Sequence, residues 1–173
     1  MKNSRNALFF LVATLAFAPA AGAATDTGDV IVTARVANGC TISSGTLDFG
    51  LYDTQDPLDN TANGDVTVQC NQGTPAYITL GQGANATAAS TNAAPDRQMA
   101  GTIAGSRLKY TLFQDAGRTT IWGNTSGVGG TGVDYIGAAG GAAELITIQG
   151  TLPALQAAVG GSYADTVIAT ITF

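Results

Sequence analysis

The chain has 173 residues, a formal net charge of −5, 11 % charged side chains, 23 glycines and no histidine. The acidic balance excludes the basic footprint that nucleic acid or an anionic membrane surface requires. The missing histidine removes the usual base of a serine or cysteine triad and the commonest metal ligand, and glycine without a G-X-Y period excludes collagen.

In chain order, residues 1–23 come first, "MKNSRNALFFLVATLAFAPAAGA". Lys2 and Arg5 form a positive start, Ala7 to Ala18 an apolar stretch, and Ala21-Gly22-Ala23 a small-residue cleavage site, which together predict a secretory signal peptide. The apolar stretch is short for a bilayer span. Its removal leaves 150 residues with five basic and twelve acidic side chains, enough for one domain with a real core.

Residues 24–39 form a segment apart from the domain expected over 40–173. Within it Val30, Val32, Ala34 and Val36 alternate with Asp29, Ile31, Thr33 and Arg35, predicting a strand over 29–36 with one apolar face. Asn38-Gly39 is a hinge before Cys40. Cys40 and Cys70 are the two cysteines, and in an exported chain an even pair implies a disulfide. Closing that loop of about thirty residues contributes ~3–4 kcal/mol in the chain-entropy model. A metal or redox pair is the alternative, and the spacing suits neither.

Further strands are expected at 40–50, 65–70, 76–81, 108–115, 119–123, 144–150 and 163–173, each rich in Thr, Val, Ile, Tyr or Phe. Between them lie a turn-rich loop (52–64), an Ala/Asn/Thr stretch (83–96) and a glycine-rich segment (123–143) expected to be flexible or an edge. No sustained helical period is present. Many short strands at this spacing predict an all-β antiparallel sandwich.

In the last strand Val167, Ala169, Ile171 and Phe173 share one face, and Thr166, Ile168, Thr170 and Thr172 the other. A strong strand with no following cap leaves an edge to be covered. The first strand is spare and the last lacks a partner, so the economical expectation is strand addition between copies.

Several motifs then carry a resemblance: "ANGCTI", "GTLDFG", "GDVTVQCNQGTPAYITLG", "LKYTLFQDAGRTTIWGN" and "QGTLPALQAAVGGSYADTVIATITF", in that order across nearly the whole chain after residue 23. The sequence resembles the spore coat protein U domain family, the subunit type of archaic (Csu-type) chaperone-usher pili. The resemblance implies an incomplete immunoglobulin-like sandwich completed by donor-strand exchange. A periplasmic chaperone would lend a strand until an outer-membrane usher replaced it with the amino-terminal segment of an identical or homologous pilin, giving a homopolymer. It places Val30, Val32, Ala34 and Val36 as the donor face and Cys40–Cys70 as the family disulfide. Val167, Ala169, Ile171 and Phe173 would border the acceptor groove, and the Phe173 carboxylate would anchor basic chaperone residues. The expected product is a surface pilus for adhesion and biofilm formation, exported through the periplasm, with no enzymatic activity, catalytic residue, metal or cofactor.

Other readings stand beside these. Residues 29–36 on their own pattern read as the first strand of a complete sandwich, and it is the resemblance that favours the donor reading. Asp53, Asp56, Asp59 and Asp65, with Asn60 and Asn63, offer oxygen ligands to a hard cation, but their spacing is that of no calcium loop and a solvated turn accounts for them. Glu144 is the sole glutamate, which leaves little for a two-carboxylate mechanism. Trp122 with Tyr52, Tyr77, Tyr110, Tyr135 and Tyr163 would give a monomeric carbohydrate-binding module its platform; dispersed as they are, they suit core packing better. A secreted spore or cell-envelope coat protein would use the same fold.

Overall fold

Period-2 patterning is what the chain folds on, and the computed structural model is built almost wholly of antiparallel strands. It describes residues 22, 24–43 and 45–173, so the expected leader lies outside the described residues apart from Gly22. The chain divides into an amino-terminal unit, Met1–Arg35, and a body, Val36–Phe173. Among the described residues, 24–39 pair with no strand. Val30, Val32 and Val36 are 86 %, 87 % and 83 % exposed, so the alternation over 29–36 has no ladder of its own.

The body holds β1 (Cys40–Ser43), β2 (Asn60–Cys70), β3 (Pro75–Leu80), β4 (Arg97–Gly101), β5 (Arg107–Phe113), β6 (Val133–Ile136), β7 (Glu144–Leu152), β8 (Tyr163–Ala164) and β9 (Ala169–Thr172). Six of them form one antiparallel sheet in the order β1-β2-β7-β5-β4-β8, and three form a second in the order β6-β3-β9. Among the described residues the one helical element is a short 3-10 turn, Ala139–Gly141. The fold class is the expected one: all-β, with two antiparallel sheets sharing a core.

The core gathers Val66, Val68, Leu112 and Ile148 of the larger sheet with Ile78 and Leu80 of the smaller around Trp122, which is fully buried. Trp122 Nε1 donates to the Ile78 carbonyl at 2.9 Å, which meets the one polar demand of the indole. Cys40 and Cys70 are joined in a disulfide at facing ends of β1 and β2.

Five elements differ from expectation. β1 ends at Ser43, short of the expected 40–50. β2 begins at Asn60, inside the segment that reads as a loop. β4 has no alternating pattern to announce it. The stretch 119–123 contributes only a single bridge, Ile121 to Phe113. The last strand is two: β8 joins β4, β9 joins β3, and residues 165–168 cross from one sheet to the other. The glycine-rich segment supplies β6, an edge of the smaller sheet.

Candidate functional site

The two sheets leave unlike edges beside each other. β1 ends the larger sheet and β9 ends the smaller, and β1 lies close to β9. Between them opens a cavity of about 570 Å³. Ile42, Leu47 and Phe49 form one wall, Val167, Ile168 and Ala169 the other, and Val66, Leu80, Leu112 and Ile148 the floor. Past Leu47, Phe49, Met99 and Tyr163 it meets a second cavity of about 700 Å³, between residues 47–54 and 158–163.

Glycines shape the first wall. A Cβ at Gly45 would run into the Asp65 carbonyl, and one at Gly64 into the Thr46 carbonyl. Their absence lets residues 45–49 lie against β2. Leu47 and Phe49 then reach Gly150 of β7, where a Cβ would stand 2.9 Å from each.

The second wall presents an unpaired edge. Gly81 N donates to the Ile168 carbonyl at 2.8 Å and Ala84 N to the Thr166 carbonyl at 3.0 Å, while Leu80 faces Ala169 in register. In an antiparallel ladder the backbone groups of successive residues point to opposite sides. Those of Val167, Ala169 and Ile171 therefore turn away from β3, towards the cavity side.

One carboxylate interrupts the lining. Asp165, at the crossover between β8 and β9, accepts from the Tyr110 hydroxyl at 2.6 Å and from Asn85 N and Nδ2 at 3.1 and 2.9 Å. Burial pushes the Tyr110 hydroxyl well above its ordinary range, and the bond to Asp165 adds to the shift. Beneath lies Arg97, fully buried, whose Nε and Nη2 donate to the carbonyls of Leu80, Gly81 and Trp122 at 2.7–2.9 Å. Burial brings its guanidinium down to about 10, opposed by Tyr110 and Asp165.

Of the residues singled out in the sequence, Val167 and Ala169 line the cavity; Ile171 is half-buried against the core, and Phe173 is 56 % exposed at the end of the chain. Val30, Val32, Ala34 and Val36 are exposed on the unpaired segment. The acids of the turn serve the backbone: Asp53 caps Gln55 N, Asp56 caps Leu58 N and Asp59 accepts from Ala154 N. The aromatic residues form no platform. Trp122, Tyr110 and Tyr135 are buried, and Tyr52 bridges the Pro153 carbonyl and Gln156 N. Sequence reasoning missed Leu47, Phe49, Arg97 and Asp165, and it read Tyr110 as core packing without placing it at the cavity. For Asp165 the signal was there, since it falls on the Val167–Phe173 face.

This is a β-sandwich with an apolar opening between the edge strands of its two sheets. The Spore Coat Protein U domain model matches residues 26–170, and the chain belongs to that family; it is a structural protein and not an enzyme. A curated relative, Protein U of Myxococcus xanthus, is 40 % identical over 182 residues, covering 100 % of this chain and 98 % of the relative. A solved structure with partial likeness is the CsuC-CsuE chaperone-tip adhesion subunit pre-assembly complex from archaic chaperone-usher Csu pili of Acinetobacter baumannii, 20 % identical with a TM-score of 0.48. The match covers 80 % of this chain and 40 % of that one.

Proposed function

We propose that the chain is a pilin-type subunit that polymerises by donor-strand complementation. Residues 30–36 of one copy enter the cavity of another and add a strand to the free edge of β9, with Val30, Val32, Ala34 and Val36 facing inward. The observation that carries this reading is the pairing of an apolar cavity beside an unpaired β9 edge with an exposed, alternating segment that has no ladder. Each valine so buried contributes ~1.5–3 kcal/mol, and the strand gains a backbone ladder on one side. Charge favours an antiparallel entry. Asp165 is the one carboxylate lining the cavity, and antiparallel entry brings the Arg35 end of the segment towards it, whereas parallel entry brings Asp29. A head-to-tail contact of this kind propagates as an open filament.

In the same reading residues 1–23 are an export leader, 24–39 the donor segment and 40–173 the receiving domain. A periplasmic chaperone covers the cavity until an outer-membrane usher exchanges it for the next subunit, at the Val167–Phe173 strand. The product is a cell-surface pilus for adhesion and biofilm formation. A second reading, assembly through the same contact into a spore or cell-envelope coat, is favoured by the family description and by the likeness to Protein U.

Val32→Asp tests the shared core of both. The substitution sets a carboxylate against the apolar floor, so polymer is lost while the chaperone complex survives; normal polymer from this variant would refute the donor assignment. Electron microscopy of the native assembly separates filament from coat.

A further inference from the structure

We infer that one polar pair, Asn38 of the donated segment against Asp165 of the receiving copy, sets the register of strand exchange; this rests on the donor-strand reading above.

The inner face of the terminal strand is one polar residue followed by an apolar run: Asp165, then Val167, Ala169, Ile171 and Phe173. The donated segment has the mirror pattern. Its apolar positions end at Val36, and the next residue on the same face is Asn38. Residues directly opposite in an antiparallel pair point to the same side of the sheet. Asn38 opposite Asp165 therefore puts Val36 on Val167, Ala34 on Ala169 and Val32 on Ile171, with Val30 reaching Phe173. The two alanines meet in the middle, and on the outer face Thr33 lies beside Thr170.

Asp165 has capacity for this partner. A carboxylate offers about four acceptor sites, and three are taken by Asn85 N, Asn85 Nδ2 and the Tyr110 hydroxyl. Asn38 is exposed and its side chain makes no hydrogen bond among the described residues. Its amide supplies a donor for the fourth site.

Other registers are worse for stated reasons. A slip of two residues one way seals Asp165 under Val36; the other way drives the Asn38 amide onto Val167. Each leaves a polar group without its partner among apolar neighbours. A slip of one residue turns the whole apolar face to solvent.

The test uses the full chain carrying added cysteine pairs, assembled and then oxidised. Ala34→Cys with Ala169→Cys reports the inferred register, while Ala34→Cys with Val167→Cys and Ala34→Cys with Ile171→Cys report the two slips. Non-reducing gels and mass spectrometry of the linked peptides read the outcome. In-register links are expected in about tenfold excess, the scale of one buried polar mismatch. Asn38→Leu should spread the links over the slipped pairs, and Asn38→Gln, which keeps the amide donor, should restore them. Because Asn38 is exposed, thermal melting of the unassembled variants should match the parent. Links concentrated in a slipped pair, or a distribution indifferent to Asn38→Leu, would overturn the register lock and leave strand exchange standing. No link in any pair, from chains that still polymerise, would overturn strand exchange itself.

Discussion

Arg97 is the least legible residue of the fold. A charged side chain is almost never fully buried unless paired, and nothing around "DRQMAG" marks a core position. Its fork instead gathers three carbonyls that neither sheet satisfies. Arg97→Met should therefore cost ~3 kcal/mol or more, since it strands several buried acceptors at once; urea unfolding would show it as a lower midpoint with an unchanged slope. Arg97→Lys should recover little, because an ammonium cannot reproduce the planar fork. Tyr110 makes a second prediction, at high pH. Its folded pKa is raised above the ordinary value of 10.0, first by burial and then by the bond to Asp165. The stability it contributes is thus fully present below pH 10 and is lost as pH rises beyond it, because only the unfolded chain ionises there. Absorbance titration should show tyrosinate formation deferred until unfolding, and Tyr110→Phe should reduce that deferred fraction. Asp165, by contrast, left a signal that the sequence reading passed over: a lone acid on the apolar face of a strand is a polar group that must find partners, and Tyr110 and Asn85 are those partners.

Elements were legible where alternation was clean and obscure where tertiary packing overrode it. β3, β5 and β7 lie within a residue or two of where Thr, Val, Ile and Tyr alternate. The first half of β2 hid behind Asn60, Asn63 and Gly64, residues that ordinarily mark turns. Gly64 is there for space: residues 46–47 pass too close for a side chain. Gly64→Ala should consequently cost roughly 1–3 kcal/mol, as overpacking does, and should loosen Leu47 and Phe49 from the cavity wall; a fall in melting temperature with changed protection of amides 45–49 would register both. The last strand read as a single piece because its period never breaks, yet it serves two sheets. Alternation reports which way side chains point and says nothing of which neighbour receives the backbone bonds.

At the scale of the molecule, the sequence suffices for the all-β class and for the one covalent link, since strand periodicity and a lone pair of cysteines can be read directly from it. The cavity is not a local signal. It arises from two sheets ending beside each other, and only the mismatch between a spare first strand and an uncovered last one hinted at it. A synthetic peptide of residues 24–39, added to the Val32→Asp chain, should raise its melting temperature, by the equivalent of about 2.7 kcal/mol at a hundredfold excess over its dissociation constant; no shift at any concentration would mean the cavity does not take this strand. The disulfide has a mechanical consequence. Cys40 is the point at which residues 24–39 leave the body, and the bridge hands any pull arriving there straight to Cys70, at the end of a strand held to β7 over nine registered positions. β1 stays slack, and with it the cavity wall at Ile42. Tension along the extension is diverted around the four-residue strand it would otherwise peel, so a reduced chain should yield at lower force than an oxidised one.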